Sequence, residues 1–176
     1  MKRGVAMDDR IVYDGWLKVV QRTVNGKVYD ILKDHDAVSA IIVNENNEIL
    51  LVKQFRPALL ETTLEIPAGT LDNKEESEID CLLRELKEET GISFSNVKIE
   101  HVFSYKPMMG FSNSLMKVYL IRTEKERLIS SVIHDEDVYE AKWVGIEEIG
   151  EKILSGEILD VKVILAYYYL KASCNV

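Results

Sequence analysis

Residues 64–92, LEIPAGTLDNKEESEIDCLLRELKEETGI, restrict this chain more than any other stretch. Ile79, Leu82, Leu83 and Leu86 recur at the i, i+3, i+4, i+7 spacing of an amphipathic helix. At about 100° per residue, Glu85, Glu88 and Glu89 fall together on a flank of that stripe. Thr90-Gly91 ends the helix, with glycine where a left-handed cap costs least. Asp72 and Asn73 stand ahead of it as candidate N-caps.

Three glutamates on one flank oppose helix formation by about 0.2–0.5 kcal/mol per pair. Two readings of them are open. One is a solvated acidic face, the usual fate of a charge run. The other is a site for a hard divalent cation such as Mg²⁺, which takes oxygen ligands and often one or two carboxylates plus substrate phosphates.

The rest of the chain supplies strands before and after this helix. Ile11–Tyr13, Trp16–Val20 and Val28–Leu32 read as an antiparallel ribbon, with Asn25-Gly26 as a hairpin turn between the last two. A ribbon of this size is marginal alone and needs a partner surface. Ala37–Val43 is a near-continuous apolar run, as in a strand buried on both faces. Asn44–Asn47 is a turn, Glu48–Arg56 the next strand, and Pro57 closes it. Leu64–Ile66 is a short strand running into Pro67-Ala68-Gly69. After the helix come strands over Val97–Tyr105, Leu115–Ile121 and Val138–Val144, with a charged loop over Glu124–Asp137. Helices over Ile146–Leu154 and Val161–Lys171 follow, separated by Ser155-Gly156. The expected fold class is α/β (α+β): an α/β/α sandwich on a mixed sheet, preceded by a small N-terminal antiparallel β element. The boundaries expected are 1–36 for the β element and 37–176 for the main domain.

Composition narrows the function. The 176 residues suffice for one core with a small appendage. Lys and Arg total 22 against 30 Asp and Glu, a formal charge of −8. That argues against a nucleic-acid partner, which calls for a basic face. It does not prevent binding of a phosphorylated small molecule, because a metal ion can supply positive charge. The N-terminus has no apolar signal-peptide core, and the apolar run Val163–Leu170 is too short to cross a membrane. A cytoplasmic protein without a membrane partner is expected. Cys81 and Cys174 make no disulfide framework, and Cys81 reads as a small buried side chain.

Gly69, Glu76 and Arg84-Glu85-Leu86-Lys87-Glu88-Glu89-Thr90-Gly91-Ile92 together resemble the Nudix box, G-x5-E-x7-R-E-U-x-E-E-x-G-U with U aliphatic. The departure is one extra residue between Gly69 and Glu76, read as an insertion in the loop at Asp72-Asn73-Lys74. Val52–Pro57, Leu64–Gly69, Gly110-Phe111-Ser112 and Gly156–Lys162 narrow the likeness to the ADP-ribose pyrophosphatase branch of the Nudix hydrolases. Asn113 and Ser114 stand where that branch often has an acidic pair.

The resemblance implies Mg²⁺-dependent hydrolysis, with Mn²⁺ as a substitute, of a nucleoside diphosphate sugar. ADP-ribose would give AMP and ribose 5-phosphate. It implies metal on Glu85, Glu88, Glu89 and the carbonyl of Ala68, and the substrate diphosphate on Arg56. Glu65 is expected to assist substrate binding or to serve as an ion-pair partner, with Arg84 as the candidate. The catalytic base is expected in His134-Asp135-Glu136-Asp137, with Glu136 first and Asp137 in reserve. Trp16 and Tyr29 are candidates for stacking on adenine, and Trp143 for the core. The branch commonly exchanges its N-terminal β element within a homodimer. The rivals are a Nudix hydrolase for a GDP-sugar, another ADP-sugar or a dinucleotide, and a Nudix-fold domain that binds a nucleotide sugar without cleaving it.

Overall fold

The computed structural model describes residues 9–94, 96–124 and 135–173. Its strands are β1 (Asp9–Asp14), β2 (Lys18–Val24), β3 (Lys27–Lys33), β4 (Ala37–Asn44), β5 (Glu48–Arg56), β6 (Glu61–Glu65), β7 (Ala68–Thr70), β8 (Ile99–Tyr105), β9 (Met116–Thr123) and β10 (Val138–Gly145). Its helices are α1 (Glu78–Thr90), α2 (Ile146–Ser155) and α3 (Val161–Ser173).

Strands β1-β2-β3 form a small antiparallel sheet, and the other seven form a mixed sheet of order β10-β5-β4-β9-β8. Among the described residues, the ladders of this sheet are antiparallel except β4–β9, which is parallel. The apolar run of β4 is explained by burial on both faces. Val38, Ala40 and Ile42 turn to one side, where Cys81, Leu82 and Leu86 of α1 cover them. Ile41 and Val43 turn to the other, against Ile149 of α2 and Val163, Ala166 and Leu170 of α3. The α/β/α sandwich with its separate N-terminal β sheet follows from that alternation.

One feature of the sheet creates the cleft. β4 and β5 pair next to their connecting turn, at Val43 and Ile49, and then separate. Open backbone groups at this depth need partners. β6 supplies them to β5 from Val52 to Arg56, and β7 supplies them to β4 from Ala37 to Ser39. The sequence leaves Ala68-Gly69 beyond the end of a short strand; the splay makes it a strand of its own.

Two local expectations change. The N-cap of α1 is Ser77, whose hydroxyl accepts from the Asp80 N–H (3.1 Å), and not Asp72 or Asn73. Asn73 instead accepts from the Glu75 N–H in the preceding loop, a turn that takes up the extra residue before Glu76. Trp16 lies in the bend before β2, outside the strand. The C-cap of α1 is Gly91 at φ 71°, as expected. Asn25 and Gly26 both have positive φ, the requirement of a tight hairpin turn.

The small sheet reaches the main domain at Leu32, whose N–H donates to the Phe111 carbonyl (2.8 Å) in the loop between β8 and β9. Ile11, Val12, Tyr13, Val28 and Tyr29 remain exposed on it. Among the described residues no helix is long and apolar enough to cross a membrane. His134 and Cys174 lie outside the described residues.

Candidate active site

α1 presents its charged flank to the mouth of the splay. Arg84 organises that flank. Its Nε and Nη2 donate to the two carboxylate oxygens of Glu76 (2.9 and 3.1 Å). Its Nη1 donates to Glu85 (2.8 Å) and Glu88 (3.0 Å). The pairing identifies Glu76, not Glu75, as the acid that belongs with this helix. It also offsets the mutual repulsion of the glutamates.

The acidic flank is not a uniformly solvated face. Glu89 is only 2% exposed. One of its oxygens accepts from the Ala68 N–H (3.1 Å), and no cation pairs with it among the described residues. Burial pushes its carboxyl up to about 8, reinforced by the charges of Glu85 and Asp135 and opposed by the Ala68 N–H. Burial likewise raises Glu85, with Arg84 opposing and Glu88 and Asp135 adding to the rise. A buried carboxylate without a cation is costly. Among the described residues, no three acidic, His or Cys side chains form a ready metal cage. Arg84 holds Glu85 and Glu88 to itself in this arrangement.

Gly69 of β7 lies directly under Glu85. A methyl group added there would stand 1.9 Å from Glu85 Cγ. The φ of Gly69 is not positive, so space and not backbone conformation calls for glycine.

These groups line a cleft of about 590 Å³ together with Trp16, Gln54, Arg56 and Asp135. Arg56 stands at the end of β5. Its Nε and Nη2 donate to Glu65 Oε1 and Oε2 (2.6 and 2.5 Å). Glu65 therefore pairs with Arg56, and not with Arg84 as the sequence suggests. A separate cavity of about 430 Å³, bordered by Asn44, Lys98 and Arg122, lies elsewhere on the surface and holds no comparable buried acid.

The structure brings together Trp16, Arg56, Ala68, Glu85 and Glu89, five of the residues singled out in the sequence. Glu88 is tied to the same cluster through Arg84. Tyr29 is exposed on β3 beside Lys27 and does not line the cleft of its own chain. In the acidic loop, Asp135 lines the cleft, while Glu136 and Asp137 are exposed beside it. Asp135 also accepts from the Asp137 N–H (2.8 Å), and the Asp137 carbonyl accepts from the Phe55 N–H (2.9 Å). That tie to β5 is long-range and leaves no trace in the spacing of the four letters. Trp143 is half-buried against the α1 side of the core, and Cys81 is fully buried, its thiol pushed up to about 11 chiefly by burial.

Residues 33–166 match the family model described as NUDIX domain. The chain is 35% identical over 155 residues to the ADP-ribose pyrophosphatase of Bacillus subtilis (strain 168), across 84% of this chain and 79% of that protein. It is 27% identical over 142 residues to the methanol dehydrogenase activator of Bacillus methanolicus, across 81% and 75% of the two chains. It is 29% identical over 131 residues to the ADP-ribose pyrophosphatase of Mycobacterium tuberculosis (strain ATCC 25618 / H37Rv), across 74% and 62%.

Proposed function

This chain belongs to the NUDIX family, and from that premise we propose that it hydrolyses the diphosphate linkage of a nucleoside diphosphate sugar. ADP-ribose is the foremost candidate, with AMP and ribose 5-phosphate as products. The observation that carries the reading is Glu89, buried and without an ion-pair partner among the described residues, beside Glu85 in a cleft that Arg56 also lines. Oxygen donors around an acid with no direct ion pair fit a hard divalent cation. Glu85, Glu88, Glu89 and the Ala68 carbonyl would hold Mg²⁺, or Mn²⁺ in its place. Such an ion, when bound, neutralises a diphosphate, polarises its P–O bond and lowers the pKa of a coordinated water.

The chain's own groups do the rest. The Arg56 guanidinium, gripped on one edge by Glu65, offers its remaining N–H groups to phosphate oxygens. Trp16 is 66% exposed at the rim and presents a ring face to a nucleobase, with His35 5.3 Å behind it. A carboxylate of the loop 135–137 takes the proton of the attacking water. Glu136 and Asp137 are joined by Asp135, which lines the cleft.

The test is release of phosphate esters from ADP-ribose, ADP-glucose, GDP-mannose and diadenosine polyphosphates, with Mg²⁺ and with chelator. Metal-dependent conversion of ADP-ribose to AMP is expected. Hydrolysis of another member alone would replace the substrate and keep the reaction. Tight binding of one member with no hydrolysis would make the protein a nucleotide-sugar-binding domain.

The exposed apolar residues of the small sheet, Ile11, Val12, Tyr13, Val28 and Tyr29, fit a second copy of the chain. The expected result of light scattering is twice the 20.1 kDa chain mass. A monomer at micromolar concentration would reject the exchange of this element between copies.

A further inference from the structure

Asp160 and Lys162 belong to a segment for which neither the metal site nor the hydrolysis has a use, yet both are nearly buried. Lys162 is 9% exposed. Its Nζ donates to Glu65 Oε2 (2.8 Å) and to Asp160 Oδ1 (2.9 Å). Glu65, 97 positions away in sequence, is 4% exposed. The Thr63 hydroxyl completes its set of donors at Oε1 (2.6 Å). Asp160 in turn accepts from the Val163 N–H (3.3 Å) at the first turn of α3. Arg56 and Lys162 balance Glu65 and Asp160, so the four form a closed neutral chain running from the start of α3 to the cleft.

We infer that Lys162 is a positioning residue: by fixing the Glu65 carboxylate against the start of α3, it sets the direction in which Arg56 offers its guanidinium to the substrate. The inference rests on the assignment of the substrate's diphosphate to Arg56 made above.

Three observations support it. Arg56 is held at Nε and Nη2 only, and Nη1 has no hydrogen-bond partner among the described residues. The donors turned away from Glu65 are therefore those left for a phosphate, and any rotation of the Glu65 carboxylate rotates them. Glu65 stays ionised although burial opposes it, because Arg56 and Lys162 hold it near 2. A buried ion pair is also poor stabilisation compared with apolar side chains of similar volume. Geometry accounts for this lysine better than stability does.

The experiment uses the full chain with Lys162→Met, Asp160→Asn and the two combined. The combined variant removes one charge of each sign, so it keeps the balance and is the one expected to fold if Lys162→Met alone does not. Its KM for ADP-ribose is expected to rise about tenfold with kcat within about twofold, the pattern of lost ground-state binding. In an Arg56→Ala background the same pair is expected to change KM less than about twofold, because groups acting through one another are not additive. A wild-type KM in the combined variant, or an undiminished effect in the Arg56→Ala background, overturns the inference and leaves Lys162 a structural ion pair. The Arg56 Nε–H signal, followed by NMR, gives a readout independent of turnover. It should exchange slowly in the wild type and quickly in the combined variant. If the wild type hydrolyses no nucleotide sugar, the functional reading fails. Slow exchange persisting in the combined variant then rejects the clamp itself.

Discussion

Replacing Glu89 by glutamine is expected to lower turnover about a thousandfold while the protein stays folded. A thousandfold corresponds to about 4 kcal/mol of transition-state stabilisation, the scale of the several kcal/mol that a phosphoryl-polarising ion supplies and that loss of a proposed ligand would forfeit. The glutamine oxygen keeps the hydrogen bond from the Ala68 N–H, so the local structure has no reason to change. Stability moves in the opposite sense to activity. The Glu89 carboxyl is raised to about 8 chiefly by burial, so ionising it costs the folded state more than the unfolded chain. In chelator that penalty grows as pH rises from the ordinary carboxylate range toward 8, and the neutral amide removes it. The variant's midpoint should equal that of the wild type at pH 5 and exceed it at pH 8. Glu85→Gln is expected to share the loss of turnover. Near-wild-type rates in both variants would sink the metal assignment. Asp135→Asn, Glu136→Gln and Asp137→Asn complete the series. The residue serving as base should lose about 10²–10⁴-fold in rate and the other two much less. Three small effects would remove the base from this loop.

Gly69→Ala is expected to lose about a hundredfold in rate without any change to an ionisable group. The new methyl would lie 1.9 Å from Glu85 Cγ and 2.5 Å from its Cδ, distances that no packed pair of carbons tolerates. β7 is fixed by its pairing to β4, and Ala40 N–H donates to the Pro67 carbonyl (3.0 Å) just before it. The Glu85 side chain must therefore give way, and Arg84, bound to it at 2.8 Å, moves with it. Misplacing one proposed metal ligand and the arginine that supports three acids compares with the 10–100-fold losses seen when groups around a metal are disturbed. Overpacking of this kind costs about 1–3 kcal/mol, a loss of a few degrees in the midpoint. Calorimetry with Mn²⁺ and a kcat measurement check it. An unchanged metal affinity together with an unchanged rate would mean that Glu85 has another place to stand.

Much of this architecture was legible in the letters because it depends on local periodicity. A stripe at 3.6-residue spacing specifies α1, and Gly91 stops it whatever lies nearby. The near-continuous apolar run of β4 requires covers on both faces, and α1 on one side and α2 with α3 on the other provide them. Asn25-Gly26 sets its own turn. The start of α1 was less legible, because Asp72, Asn73 and Ser77 are all good caps. The choice fell to Ser77 once the extra residue had been absorbed in the loop.

The charged residues divide differently. The sequence by itself determined that Glu85, Glu88 and Glu89 share one side of a helix that ends at Gly91, because helical geometry ties those positions to one another. Only the tertiary structure decided that Glu89 is buried on the Ala68 N–H while Glu85 and Glu88 meet Arg84. The sequence offered Arg84 as the ion-pair partner of Glu65, and nothing in a string of letters marks Arg56 as the guanidinium it meets. The register of β5 on β6 and the placement of α3 bring Arg56 and Lys162 to Glu65, and the turn of α1 gives Arg84 to Glu76. Charge pairing acts through space over a few ångströms, and those distances exist only after strands separated widely in sequence have been laid side by side.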